Sequence, residues 1–90
     1  MNGFIEVARG ELSSLRTTGR EIFKRVLLMN CNRIILTHNH PSGDVNPSKN
    51  DLEFTKKIIE ISNLFNIELI DHIIIGENKN YSILAKKIIK

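Results

Sequence analysis

Ninety residues and 10.3 kDa suffice for one small domain, spanning 1–90, and are too few for two. With 41% apolar and 26% charged residues and a net charge of +3, the chain has the make-up of a soluble globular protein. The lone Cys31 excludes an internal disulfide framework, and no run approaches the roughly 18 apolar residues of a membrane span. MNGFIEVARG has no basic segment followed by an apolar one, so it does not read as a signal peptide. The expectation is a soluble, cytoplasmic domain with no membrane partner. It lies near the size at which a bound metal helps to hold a core together.

Phe4-Ile5-Glu6-Val7 reads as a short strand that Gly10 ends. Thr18-Gly19-Arg20-Glu21 opens a helix, with Thr17 or Thr18 as its N-cap. Ile22, Phe23, Val26, Leu27 and Met29 recur at helical spacing along it, and Asn30 and Asn32 end it. Arg33-Ile34-Ile35-Leu36-Thr37 is a β-branched apolar run, the pattern of a strand covered on both faces. It leads into His38-Asn39-His40 and then a loop rich in Pro, Gly and Asn, Pro41 to Pro47. A long helix runs from Ser48 to about Phe65, and Ile67 to Ile75 form a second buried strand. Gly76 to Asn80 make a turn, Tyr81-Ser82-Ile83 a last short strand, and Ala85 to Ile89 a terminal helix. Strands alternating with helices predict an α/β domain, a mixed sheet flanked by helices.

The positive charge is uneven. Through Arg33, six basic residues (Arg9, Arg16, Arg20, Lys24, Arg25, Arg33) face three acids (Glu6, Glu11, Glu21). Beyond it, seven lysines face seven acids. Such a patch can contact DNA or be a solvated helix face; few aromatics and no RG repeats favour the latter.

The chemistry concentrates in His38-Asn39-His40-Pro41-Ser42-Gly43-Asp44-Val45-Asn46-Pro47-Ser48-Lys49-Asn50-Asp51. Side chains two apart on a strand share a face, so His38 and His40 project together from the C-terminal end of a buried strand. That end of a strand is where ligands bind in open α/β sheets. Two imidazoles make half of a tetrahedral zinc site. On a helical wheel of about 100° per residue, Lys49, Asn50, Glu53, Lys56, Lys57, Glu60 and Asn63 share one half. Leu52, Phe54, Thr55, Ile58, Ile59, Ile61, Ser62 and Phe65 fill the other; only Leu64 sits among the polar residues. Asp51 falls near the middle of the apolar half, where a carboxylate is costly unless it is paired or binds a metal. It is the natural third ligand. Ser-x-x-Asp is also a capping-box pattern, and spacing alone does not separate cap from ligand. Asp71 and His72 face opposite sides of their strand and read as a structural pair. Cys31, beside a helix end, reads as a small buried or half-buried side chain.

His-x-His-Pro, seven residues, then Ser-x-x-Asp resembles the JAMM motif of the JAB/MPN metalloprotease superfamily. With REIF upstream and IELIDHIIIG downstream, the chain is similar to the bacterial RadC family over nearly its whole length. The resemblance implies a single three-layer-type domain with a cytidine-deaminase-like sheet. It implies Zn2+ held by His38, His40 and Asp51, with a water completing the tetrahedron and Ser48 as the catalytic residue that bonds that water or the oxyanion formed from it. It further implies hydrolysis of peptide or isopeptide bonds in a protein substrate, although the family carries a DNA-repair label. Zinc with three protein ligands brings its water's pKa to about 7, Ser48 steadies the oxyanion, and a carboxylate relays the proton. In the superfamily that carboxylate is an upstream glutamate, and Glu6, Glu11 and Glu21 do not match its position. On that comparison the chain lacks the N-terminal strand bearing it, which would leave a sheet edge open to a second copy. The competing reading is a non-catalytic metal-binding module that contacts DNA. A deaminase-like zinc hydrolase is a distant third reading, since the Cys-x-x-Cys and His-x-Glu ligand patterns of that class are absent.

Overall fold

In the computed structural model, which describes residues 2–6, 19–40 and 44–89, the β-branched run after Asn32 forms an interior strand of the sheet, paired on both edges. This strand, Arg33–Asn39, extends two residues beyond the apolar run and carries His38 within it. With the elements numbered in chain order, the described residues give β1 (Asn2–Glu6), α1 (Arg20–Leu28), β2 (Arg33–Asn39), α2 (Lys49–Leu64), β3 (Glu68–Ile75), β4 (Asn80–Ser82) and β5 (Lys87–Ile89). The five strands lie side by side in sequence order. β1, β2 and β3 are parallel, whereas β4 and β5 are antiparallel to their neighbours, so the sheet is mixed, as expected.

Both helices are amphipathic and end in the same way. Asn30 and Asn66 take left-handed backbone (φ 54° and 56°) just past the last turn. Cys31 N–H then reaches back to the Val26 carbonyl (3.1 Å), and Ile67 N–H to that of Ser62 (2.8 Å). These are Schellman closures with asparagine in the usual glycine place, and in each the next residue is buried. Cys31 is accordingly a buried helix-end side chain. No side chain caps the start of α1 at Gly19; Thr17 and Thr18 lie outside the described residues.

Ile22, Phe23 and Val26 of α1 and Phe54 and Ile58 of α2 pack in one cluster with Ile34, Leu36 and Leu69 from the sheet. A smaller cluster, Val45, Ile74 and Ile83 with Tyr81 against it, lies toward the β4 side. The wheel reading of α2 holds for Asp51, Phe54, Thr55, Ile58 and Ser62, which are buried, and for Leu64, which is exposed; Leu52 is about half exposed.

The expected helix over Ala85 to Ile89 is not formed. Residues 83–86 make a turn, and Lys87–Ile89 pair antiparallel with β4. Five residues cannot repay helix nucleation, whereas two isoleucines suit a pleated strand. The turn has its own fastenings. Lys86 is left-handed (φ 58°), Ala85 N–H donates to Ser82 Oγ (3.1 Å), and Leu84 N–H donates to the Asp71 carboxylate. Among the described residues no helix is long and apolar enough to cross a membrane.

Candidate metal centre

Alternation along β2 directs Ile34, Leu36 and His38 to the helix-covered face, and His40, just past the strand, continues the series. His40 N–H still bonds the Ile75 carbonyl (3.1 Å), so the backbone remains extended up to that ring. Opposite stands the first turn of α2. Ser48 Oγ accepts from Asp51 N–H (3.0 Å) and the Asp51 carboxylate accepts from Ser48 N–H (2.8 Å), a complete capping box. The cap and ligand readings of Asp51 do not compete. With Oδ2 engaged by the cap, the carboxylate still faces the imidazoles, Oδ2 at 3.2 Å from His40 Nε2 and Oδ1 at 3.6 Å from His38 Nε2. The two Nε2 atoms are 3.1 Å apart.

Hydrogen bonding to the far side of each ring determines what these nitrogens present. His40 Nδ1 lies 2.8 Å from the Asp44 carbonyl, which only accepts, so Nδ1 carries the hydrogen and a neutral ring offers Nε2 as a lone pair. His38 Nδ1 lies 2.9 Å from His72 Nε2, and His72 Nδ1 lies 2.7 Å from Thr55 Oγ1. Thr55 donates its single hydroxyl hydrogen to the Asp51 carbonyl (2.9 Å). It therefore accepts from His72 Nδ1–H, leaving His72 Nε2 to accept from His38 Nδ1–H. His38 Nε2 is then also a lone pair. Two lone pairs and a carboxylate thus face one another, an arrangement that a bound cation would relieve.

The dimensions suit an ion. A tetrahedral centre with bonds of about 2.0–2.1 Å holds its ligand atoms about 3.3 Å apart; the two Nε2 atoms are 3.1 Å apart, and Asp51 approaches each ring with a different oxygen, at 3.2 and 3.6 Å. His38, His40 and Asp51 could therefore hold a metal ion. Two imidazoles and a carboxylate suit zinc and its first-row neighbours. Burial pushes the His38 pKa down, against a partial upward pull from Asp51, and His40 lowers it further. Burial, reinforced by His38, lowers His72 to about 4.

Ser48 is exposed, at the start of α2. Its oxygen serves the cap as acceptor, which leaves its hydroxyl hydrogen unspent by the box. Of the upstream acids, Glu21 is exposed in the first turn of α1, Glu6 ends β1 in register with Thr37, and Glu11 lies outside the described residues. Asp71 and His72 do face opposite sides: Asp71 accepts from Ser82 Oγ (2.6 Å) and from His72 N–H (2.8 Å), whereas the His72 ring meets His38 and Thr55.

His72 and Thr55 are the members that sequence reasoning missed. The reason is a β-bulge. Ile34 pairs with Leu69, but Ile35 pairs with Asp71, so Ile70 is left over and Leu36 lies opposite His72. Without that extra residue His72 would be level with Thr37, on the other face of the sheet. Ile70, the displaced residue, is correspondingly exposed.

The RadC-like JAB domain model matches residues 1–88. A UPF0758 protein of Clostridium beijerinckii is 44% identical over 87 residues, which cover 97% of this chain and 38% of that protein. One from Caldanaerobacter subterraneus is 40% identical over 88 residues (94% and 38%), and one from Staphylococcus haemolyticus 45% over 80 residues (89% and 35%). The chain thus spans well under half the length of these relatives. With the family match running through both histidines, the capping serine and the buried aspartate, the chain belongs to the RadC-like JAB domain family.

Proposed function

We propose that this chain is the metal-holding portion of a zinc-dependent peptidase of RadC type, acting on peptide or isopeptide bonds of a protein substrate. One observation carries the reading: two imidazole lone pairs and a carboxylate converge at 3.1–3.6 Å with the far side of both rings occupied. A bound zinc ion supplies an acidified water and a Lewis acid for the scissile carbonyl. His38, His40 and Asp51 fix the position of that ion. Ser48, exposed and with a hydroxyl hydrogen unspent by the cap, donates to the oxygen on which negative charge develops.

A proton must also pass to the leaving amine. Among the described residues the convergent cluster contains a single carboxylate, Asp51, already shared between cap and rings. Among the described upstream acids, Glu6 lies on the strand next to β2, in register with Thr37 rather than His38.

The test pairs metal analysis with hydrolysis. Wild type should retain about one zinc per chain, and His38→Ala and Asp51→Asn should retain little. Chelator-sensitive cleavage of isopeptide-linked or linear peptide substrates would establish turnover. Equal zinc in all three proteins would refute the reading.

A second reading, a non-catalytic metal module that contacts DNA, draws on Arg20, Lys24 and Arg25, all exposed along α1. It requires DNA affinity that falls steeply with salt and weakens when these three are neutralised.

A further inference from the structure

His72 coordinates nothing in the reading above, yet it is fully buried, sits one ring behind His38, and reaches that position through a bulge. Burying an imidazole this deep is unfavourable unless both nitrogens are engaged. Both are engaged, and by members of one closed circuit. Thr55 Oγ1 holds Nδ1, His38 Nδ1 meets Nε2, and Thr55 returns by its hydroxyl to the backbone of Asp51, itself in the cluster. His38 and Asp51 thus approach the same point from two elements, and the His72–Thr55 link joins those elements behind them. Phe54, on the same helix, stacks its ring obliquely on His72 with centroids 6.2 Å apart and limits how the imidazole can turn.

We propose that His72, held by Thr55, is a positioning residue for the metal centre: it accepts the Nδ1 hydrogen of His38 and so fixes His38 in the one tautomer that presents an Nε2 lone pair. This rests on the metal-site reading of His38, His40 and Asp51. Ligating histidines commonly give their second N–H to a carboxylate or carbonyl. Here His40 does so with the Asp44 carbonyl, whereas His38 uses a second imidazole. An imidazole acceptor differs from a carbonyl in one respect. It can itself turn donor, so the circuit supports a reversed arrangement in which His38 Nε2 carries the hydrogen and cannot ligate. Thr55 sets the direction by spending its hydrogen on Asp51.

The experiment measures zinc affinity by chelator competition and His38 tautomer by imidazole 15N shifts. Wild type, His72→Phe, His72→Gln, Thr55→Val and Thr55→Ser are compared. Losing the partner behind a ligand typically weakens metal binding about 10–100-fold. His72→Phe, with no acceptor, should lose that much. His72→Gln, whose amide oxygen can accept from His38, should recover part of it. Thr55→Val should lose affinity and show a mixture of His38 tautomers, and Thr55→Ser should restore both. These variants leave every ligand in place, so a purely structural role would lower stability without moving affinity or tautomer. Wild-type affinity with His72→Phe and Thr55→Val, or a His38 Nε2–H tautomer in metal-free wild type, overturns the proposal while the metal site stands. Absence of zinc binding by wild type removes the metal site and this proposal with it. Should His72→Phe fail to fold, the Thr55 pair decides.

Discussion

Asp51→Asn separates the two roles open to one carboxylate, helix cap and metal ligand. Asparagine retains an oxygen able to accept from Ser48 N–H, so the α2 cap survives, but the anion facing His38 and His40 is gone. Without metal, the substitution should change stability by no more than about 1 kcal/mol, the ordinary worth of an N-cap. With free zinc at about 100 times its dissociation constant, wild type gains about 2.7 kcal/mol. For a domain of this size each kcal/mol moves Tm by about 4–8 °C, so the expected shift is roughly 10–20 °C. Asp51→Asn should lose most of it. Ser48→Ala provides the complement: it should lower metal-free stability by about 1 kcal/mol yet retain the zinc shift. The measurement is thermal unfolding by circular dichroism, in chelator and then in buffered zinc. A full shift in Asp51→Asn would reduce Asp51 to a cap and refute the reasoning.

Metal-free protein should lose stability on acidification. His72 is lowered to about 4 in the fold against about 6.5 unfolded, so between these values the unfolded chain holds the extra proton. Stability from this group is complete above pH 6.5 and lost as pH falls toward 4. From pH 7 to 5 the loss is about 2 kcal/mol, measured by urea unfolding, and His72→Gln should flatten the slope. Ser62 is fully buried, and among the described residues its hydroxyl has no hydrogen-bond partner. Ser62→Ala should therefore raise stability by about 1 kcal/mol in the same assay. Ile58→Ala, at a fully buried position in the main cluster, should cost about 2–5 kcal/mol.

The parts of the site legible in the sequence obey local periodicities. His38 and His40 stand two apart on a strand, and Asp51 falls inside the apolar half of a helix whose start Ser48 marks; each needs only the geometry of its own element. His72 was not legible because its side of the sheet depends on where β3 pairs with β2, and the bulge at Ile70 shifts that pairing by one residue. Thr55 reads as part of an apolar half because a hydroxyl on a buried face carries no local signal of its partner. The C-terminal misreading has the same origin. Ala85 to Ile89 is too short for a period to declare itself, and its pairing with β4 follows from fastenings on Ser82 and Asp71.

The polar circuit also explains how a small core accommodates so many buried heteroatoms. His38, Asp51, Thr55 and His72 are each at most 3% exposed, and in an apolar interior each would be destabilising alone. They do not interrupt the main cluster. Ile34, Leu36, Phe54 and Ile58 pack with α1, while the circuit occupies the end of β2 where the N-terminus of α2 supplies donors. What remains uncompensated is the converging edge itself, two lone pairs and a carboxylate within 3.6 Å. A cation there cross-links β2 to α2 across the loop that joins them, the kind of staple a domain of this size gains most from. Chelation should therefore loosen the first turn of α2 before the sheet. Faster amide exchange at Asp51 than at Leu36 would register it, and uniform acceleration of both would show that the ion holds the whole fold instead.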